Sequence, residues 1–232
     1  MRHTPIVTVV RYLLLDRVTY LVLPWVWAAF GFLLDVVVLK LTPVGHTDHR
    51  WVGGLAAVFL VVFSAGVQSV ARALPFALAL GVSRRTYFLG VTALALALAV
   101  SFGLVVAAGQ TLERATGGWG MDMGYFRVPY LLDGPWYLSW LTAATAFVLL
   151  FVYGMWYGLI YRRAGLPGTM IFGATQLGVL ALAAIIATWA HGWADIGRFF
   201  TTITATGVTG VLAAAVAVML AGGFATIRRL TI

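Results

Sequence analysis

Read for hydrophobic and polar positions alone, the chain falls into six apolar stretches, at about 20–40, 51–71, 86–110, 137–161, 168–190 and 200–224. About 20 apolar residues cross a hydrocarbon core as a helix, so each stretch predicts one transmembrane span. Charge, Pro and Gly mark the joints: "KLTPVGHTDHR", "RALPFALALGVSRR", "ERATGGWGMDMGYFRVPYLLDGPW", "RRAGLPG" and "HGWADIGR". Ahead of the first stretch, "TPIVTVVRYLLLDRV" sets Ile6, Val9, Val10, Leu13 and Leu14 at helical spacing, with Thr4, Thr8 and Arg11 on another face. That pattern predicts an amphipathic helix over 4–18 lying at the membrane surface. Arg11, Asp16 and Arg17 interrupt the run and no small-x-small site follows, so a cleaved signal peptide is not expected. No linker or shift in composition divides the chain, which reads as one all-α integral membrane domain over 1–232.

Composition strengthens this picture. Of 232 residues, 62% are hydrophobic and only 9% charged, and the mean hydropathy is +0.98, far from the balance of a soluble domain. The net charge of +8 does not point to nucleic acid, because the cations stand in small groups between apolar runs and not on one soluble face. They carry topology instead. With the N-terminus in the cytoplasm, Arg2, Arg11, Arg17, Arg72, Arg84, Arg85, Arg162, Arg163, Arg228 and Arg229 lie inside; Lys40, Arg50, Arg114, Arg127 and Arg198 lie outside. This excess of basic residues on one side predicts both termini in the cytoplasm. Trp25, Trp51, Trp119, Trp136, Trp156 and Trp193 fall in or near span ends, where aromatic belts form.

Several chemistries are excluded. Without cysteine there is no disulfide, thiolate metal site or cysteine nucleophile. The single lysine, Lys40, follows no glycine-rich loop, so the chain has no P-loop and is not expected to be an enzyme. None of its four histidines has a zinc-protease setting, and although "GHTDHR" sets His46, Asp48 and His49 close together, no metal site is expected there.

Within the spans the one clear ionisable group is Asp35, near the outer end of the first, where it snorkels outward, pairs with Lys40 or acts in a translocation path. Gln68, Gln110 and Gln176, and Thr202, Thr206 and Thr209 at i, i+4, i+7 of the sixth span, offer hydrogen bonds between helices or along a path. Gly154 and Gly158 in "GMWYG" have close-packing spacing, suited to a dimer seam or to internal packing.

The segment between the second and third spans is unusual because it is short yet apolar. If the second span ends at Arg72, Pro75 opens a new short helix, "PFALAL" forms it, Gly81 stops it in the left-handed conformation and Ser83 caps the third span. Arg84 and Arg85 oppose the dipole at that helix start, so they serve to hold it at the cytoplasmic surface. Phe76, Leu78 and Leu80 are left to dip into headgroups or fit a groove on a partner.

Here the chain resembles the membrane subunits of ATP-binding-cassette exporters of the second permease class. The likeness is carried by the surface helix, the six spans and "LGVSRRTYFLG", with Gly81, Ser83, Arg84, Arg85, Phe88 and Gly90. It implies that residues 73–85 are a coupling helix docking on a separate ATPase subunit, which binds the ATP and Mg. It also implies a second permease subunit, identical or related, and a location in the plasma membrane. One departure is that the longest outer loop follows the third span, where better-known branches put a large outer element between the fifth and sixth. The sparse charge of the spans favours a hydrophobic or amphipathic cargo. The residues leave open an ion-coupled transporter built on Asp35 and a non-transporting membrane scaffold or regulator.

Overall fold

A computed structural model describes residues 5–41, 50–51, 53–127 and 135–228. The loop with His46, Asp48 and His49, and residues 128–134 of the expected outer loop, lie outside the described residues. What is described is almost entirely helical, and its long apolar helices mark a membrane-spanning protein.

Helix α1 (Pro5–Leu13) is the expected amphipathic helix, shorter than 4–18. It buries Val9 and Leu13, and Val9 lies so close to Gly90 that a Cβ there would meet it at 2.6 Å. Helices α2 (Val18–Leu41), α3 (Ala56–Ala79) and α4 (Arg84–Ala115) are each long and apolar enough to cross a membrane. The longest helix, α5 (Trp136–Trp189), would extend about 80 Å if straight, far beyond a bilayer core of roughly 30 Å. It is not straight: Gly165 takes φ 65° and ψ −164°, and Pro167 follows. Tyr157, before that joint, bonds Gln176 after it at 3.0 Å, so the two halves lie side by side as an antiparallel hairpin. Two spans were expected here, meeting at "RRAGLPG", and two helical arms are found.

Two prolines explain a second departure from straight helix. Proline lacks the N–H for an i→i−4 bond and crowds the carbonyl four residues back. Pro24 and Pro75 each stand two residues after a π-helical turn, Val18–Val22 and Ser69–Ala73 respectively, a widening that accommodates the ring. The expected break at Arg72 is therefore a correction. Helix α3 widens there and runs on to Ala79, so the short helix over Leu74–Ala79 is its continuation.

The sixth span also differs. It was expected from about 200, but Ile203 is extended (φ −67°, ψ 124°) and separates a short exposed helix, α6 (Trp193–Thr202), from α7 (Ala205–Arg228). Thr204 caps α7 by accepting from the Gly207 N–H at 3.1 Å. The segment "HGWADIGR", expected as a loop, supplies the start of α6, with Asp195 paired to Arg198.

The core lies between α3, α4 and the first arm of α5. Helix α4 buries Tyr87, Val91, Leu94, Leu98, Phe102 and Val106 along one stripe, against Phe147, Phe151 and Met155 of α5. The second arm of α5 buries nothing and presents Ile171, Leu180 and Ile186 outward. At the other end from α1, two short strands, β1 (Arg50–Trp51) and β2 (Met123–Gly124), pair in parallel, Arg50 opposite Met123.

Candidate functional site

The structure places the polar groups of interest in three regions. The first is the knuckle between α3 and α4. Gly81 has φ +83° with open space around a notional Cβ, so its conformation, and not crowding, calls for glycine. Ser83 accepts from the Thr86 N–H at 3.1 Å, capping α4. Phe76 and Leu80 are 56% and 66% exposed, whereas Leu78 packs against the core. Phe76 stacks on Tyr12 of α1, ring centres 5.8 Å apart at 14°. Arg85 is exposed and Arg84 half-buried. Behind the knuckle, the Tyr87 hydroxyl donates to the Ser69 carbonyl in the widened turn of α3.

The same end holds a cavity of about 430 Å³ between α1, the start of α2 and the end of α3. Gln68 borders it and accepts from Arg72 at a long 3.4 Å. Burial pushes the Tyr12 phenol, also on its wall, above its ordinary value, which keeps it a hydrogen-bond donor.

The second region is inside the helix bundle, and most of its polar groups act between helices. Asp35 accepts from the Gly54 N–H at 2.9 Å, where α2 meets the chain entering α3. It does not pair with Lys40; the backbone donor takes that place because Gly31 and Gly54 approach so closely that a Cβ on Gly31 would lie 2.7 Å from the Gly54 carbonyl. Gln176 accepts from Tyr153 and Tyr157, joining the arms of α5. Thr209 donates to the Ala205 carbonyl and so receives the Thr142 hydroxyl at 2.7 Å, a buried bridge from α7 to α5. Thr206 is exposed. Thr202 lies on α6 and donates to the Arg198 carbonyl, so the expected Thr202, Thr206, Thr209 face is broken at Ile203. Gly154 and Gly158 serve internal packing: a Cβ on Gly154 would collide with the Phe63 carbonyl, and one on Gly158 would lie 2.8 Å from that of Val67. Gln110 is fully buried, with neither amide atom hydrogen-bonded to protein.

The third region was not foreseen. Glu113, 1% exposed in the last turn of α4, gathers the loop that follows α4 around its carboxylate. Oε2 accepts from the Trp119 indole at 3.1 Å and from the Tyr125 and Phe126 N–H groups at 2.9 Å each; Oε1 accepts from Arg127 N–H at 3.2 Å. The loop it holds is contorted, with Gly117, Gly118, Trp119, Gly120 and Asp122 all at positive φ. For Trp119 and Asp122 such backbone carries strain that the surroundings must offset. Phe32 of α2 meets both Trp119 and Tyr125 edge to face, at 5.3 Å. The Tyr125 hydroxyl donates to the Ala28 carbonyl at 2.6 Å, and burial, then the charge of Asp35, push its phenol up to about 12.

A signal for Glu113 was present. An acid in the last turn of a helix opposes the dipole, as Arg84 and Arg85 do at the first turn, so something other than helix stability keeps it there.

No known family, characterised protein or solved structure matches this chain. Among the described residues no three His, Asp or Glu side chains gather as a metal site requires.

Proposed function

We propose that the chain is the transmembrane subunit of an ATP-driven exporter of the ATP-binding-cassette kind. It crosses the plasma membrane six times with both termini in the cytoplasm, pairs with an identical or related subunit, and forms a path for a hydrophobic or amphipathic substrate. Energy comes from a separate ATPase subunit that holds ATP and Mg.

The observation that supports this reading is the knuckle, a capped turn whose apolar tip leaves Leu80 and the face of Phe76 not stacked on Tyr12 exposed. A solvated connection between two spans has no use for such side chains; a docking element has. The tip is mechanically joined to the bundle. Helix α3 runs through its widened turn into Ala79 without a break, and Tyr87 ties α4 back to Ser69. A displacement applied at the tip by an ATPase that closes on ATP is therefore passed to α3 and α4 together. The two arrangements of the helices interconvert because the partner binds them with different affinity.

Copurification with an ATPase after mild detergent extraction, and permease-stimulated ATP hydrolysis, test the proposal. Burying one large apolar side chain contributes about 1.5–3 kcal/mol, so Leu80→Ala is expected to weaken the association at least tenfold and the double variant Phe76→Ala, Leu80→Ala by roughly a hundredfold, with membrane levels unchanged. Full association and stimulation in the double variant would overturn it.

A further inference from the structure

We infer that the cavity between α1, the start of α2 and the end of α3 holds the headgroup of a zwitterionic phospholipid, phosphatidylethanolamine. The inference needs only that α2 and α3 lie in a bilayer; it does not depend on transport or on an ATPase.

At about 430 Å³ the space is an open groove with exposed Asp16 and Arg72 at its rim, large enough for a headgroup with its acyl chains leaving through the open side. Its walls are of two kinds. Leu13, Tyr20 and the stacked pair Tyr12–Phe76 supply apolar and aromatic surface; Asp16, Gln68 and Arg72 supply polar groups. Such a mixture at the ends of two membrane-length helices matches the level where acyl chains give way to headgroups.

The charges then choose the headgroup. Asp16 comes from the link between α1 and α2, and Arg72 from the widened turn of α3. Both face the cavity, yet they form no ion pair with each other. Asp16 uses Oδ1 to accept from the Thr19 N–H at 3.1 Å, leaving Oδ2 available. Arg72 makes one long bond to Gln68, leaving most of its five donors. One cation and one anion, on different elements of the same cavity, complement a ligand bearing both signs. The guanidinium fork suits the phosphate, and the carboxylate suits an ammonium that can donate hydrogen bonds. A purely anionic headgroup would meet the repulsion of Asp16.

The test is native mass spectrometry of the purified, delipidated protein titrated with phosphatidylethanolamine or phosphatidylglycerol, with and without millimolar inorganic phosphate. Wild type is expected to retain a single phosphatidylethanolamine about tenfold more tightly than phosphatidylglycerol. Arg72→Gln should lose about tenfold for both lipids. Asp16→Asn should remove the preference between them, while the asparagine still caps Thr19 and the fold is kept. Arg198→Gln, which removes an exposed charge on α6, should change nothing. Equal retention of the two lipids by wild type, unchanged binding in Arg72→Gln, or a preference that survives Asp16→Asn would overturn the inference. Displacement of the lipid by inorganic phosphate would assign the cavity to free phosphate and overturn it equally. Thermal melting of each variant separates loss of the site from loss of the fold.

Discussion

Replacing Glu113 by glutamine tests whether one carboxylate organises the loop after α4. The substitution keeps size and shape but exchanges one acceptor oxygen for an NH2 group. Turned to keep its oxygen toward Trp119, Tyr125 and Phe126, the amide confronts the Arg127 N–H with a donor; turned the other way, it confronts three donors. The first arrangement loses the Arg127 bond and the charge assistance of the other three. Bonds to charged acceptors contribute about 1.5–3 kcal/mol and a stranded buried donor costs about 1–3 kcal/mol, so the loop is expected to loosen by roughly 3 kcal/mol. At 1.4 kcal/mol per decade, amide hydrogen exchange over residues 117–127 should speed up by about two orders of magnitude. Exchange over the buried stripe of α4, such as residues 91–102, should not change, because the loop opens locally. The assay is hydrogen exchange by mass spectrometry in nanodiscs. Unaltered protection at Tyr125, Phe126 and Arg127 would refute the argument, as would equal acceleration throughout α4.

Gly154→Ala is expected to lower thermal stability by about 1–3 kcal/mol, since even a methyl meets the Phe63 carbonyl, while Gly178→Ala, with open space around it, should be neutral or stabilising in a melt. The Tyr125 phenol is raised from 10 to about 12, so the stability it contributes is complete below pH 10 and is lost as pH rises through about 12; in ultraviolet titration Tyr125→Phe should lower the late-titrating amplitude by one tyrosine without abolishing it. Because the chain has no cysteine, an impermeant thiol reagent on intact cells should label Thr116→Cys and not Ser83→Cys; the opposite pattern would reverse the topology.

Much of the fold was legible because its driving force is local. Long apolar runs make helices in lipid whatever their neighbours do, and the Gly81 and Ser83 signals act within a few residues. Thr202, Thr206 and Thr209 misled because periodicity assumes an unbroken helix, and Thr204 takes the cap that ends the register. Pro75 was read as a helix start, but a widened turn accommodates proline without a break. The partners of Asp35, Gln176 and Glu113 were not legible, since each depends on a backbone, indole or hydroxyl group brought near by tertiary packing. For Glu113 the donors lie 6 to 14 residues further along a loop whose path no short-range rule dictates.

The joint at Gly165 bears on how the protein is made. With the arms of α5 closing back within a few residues, the fourth and fifth apolar stretches follow each other from the ribosome with only a short joint between them. Gln176 would be a costly passenger if its stretch entered hydrocarbon alone, but Tyr153 and Tyr157 of the preceding arm wait to receive it. The pair is thus suited to enter the membrane as one hairpin, with the polar groups of its two arms already satisfied by each other.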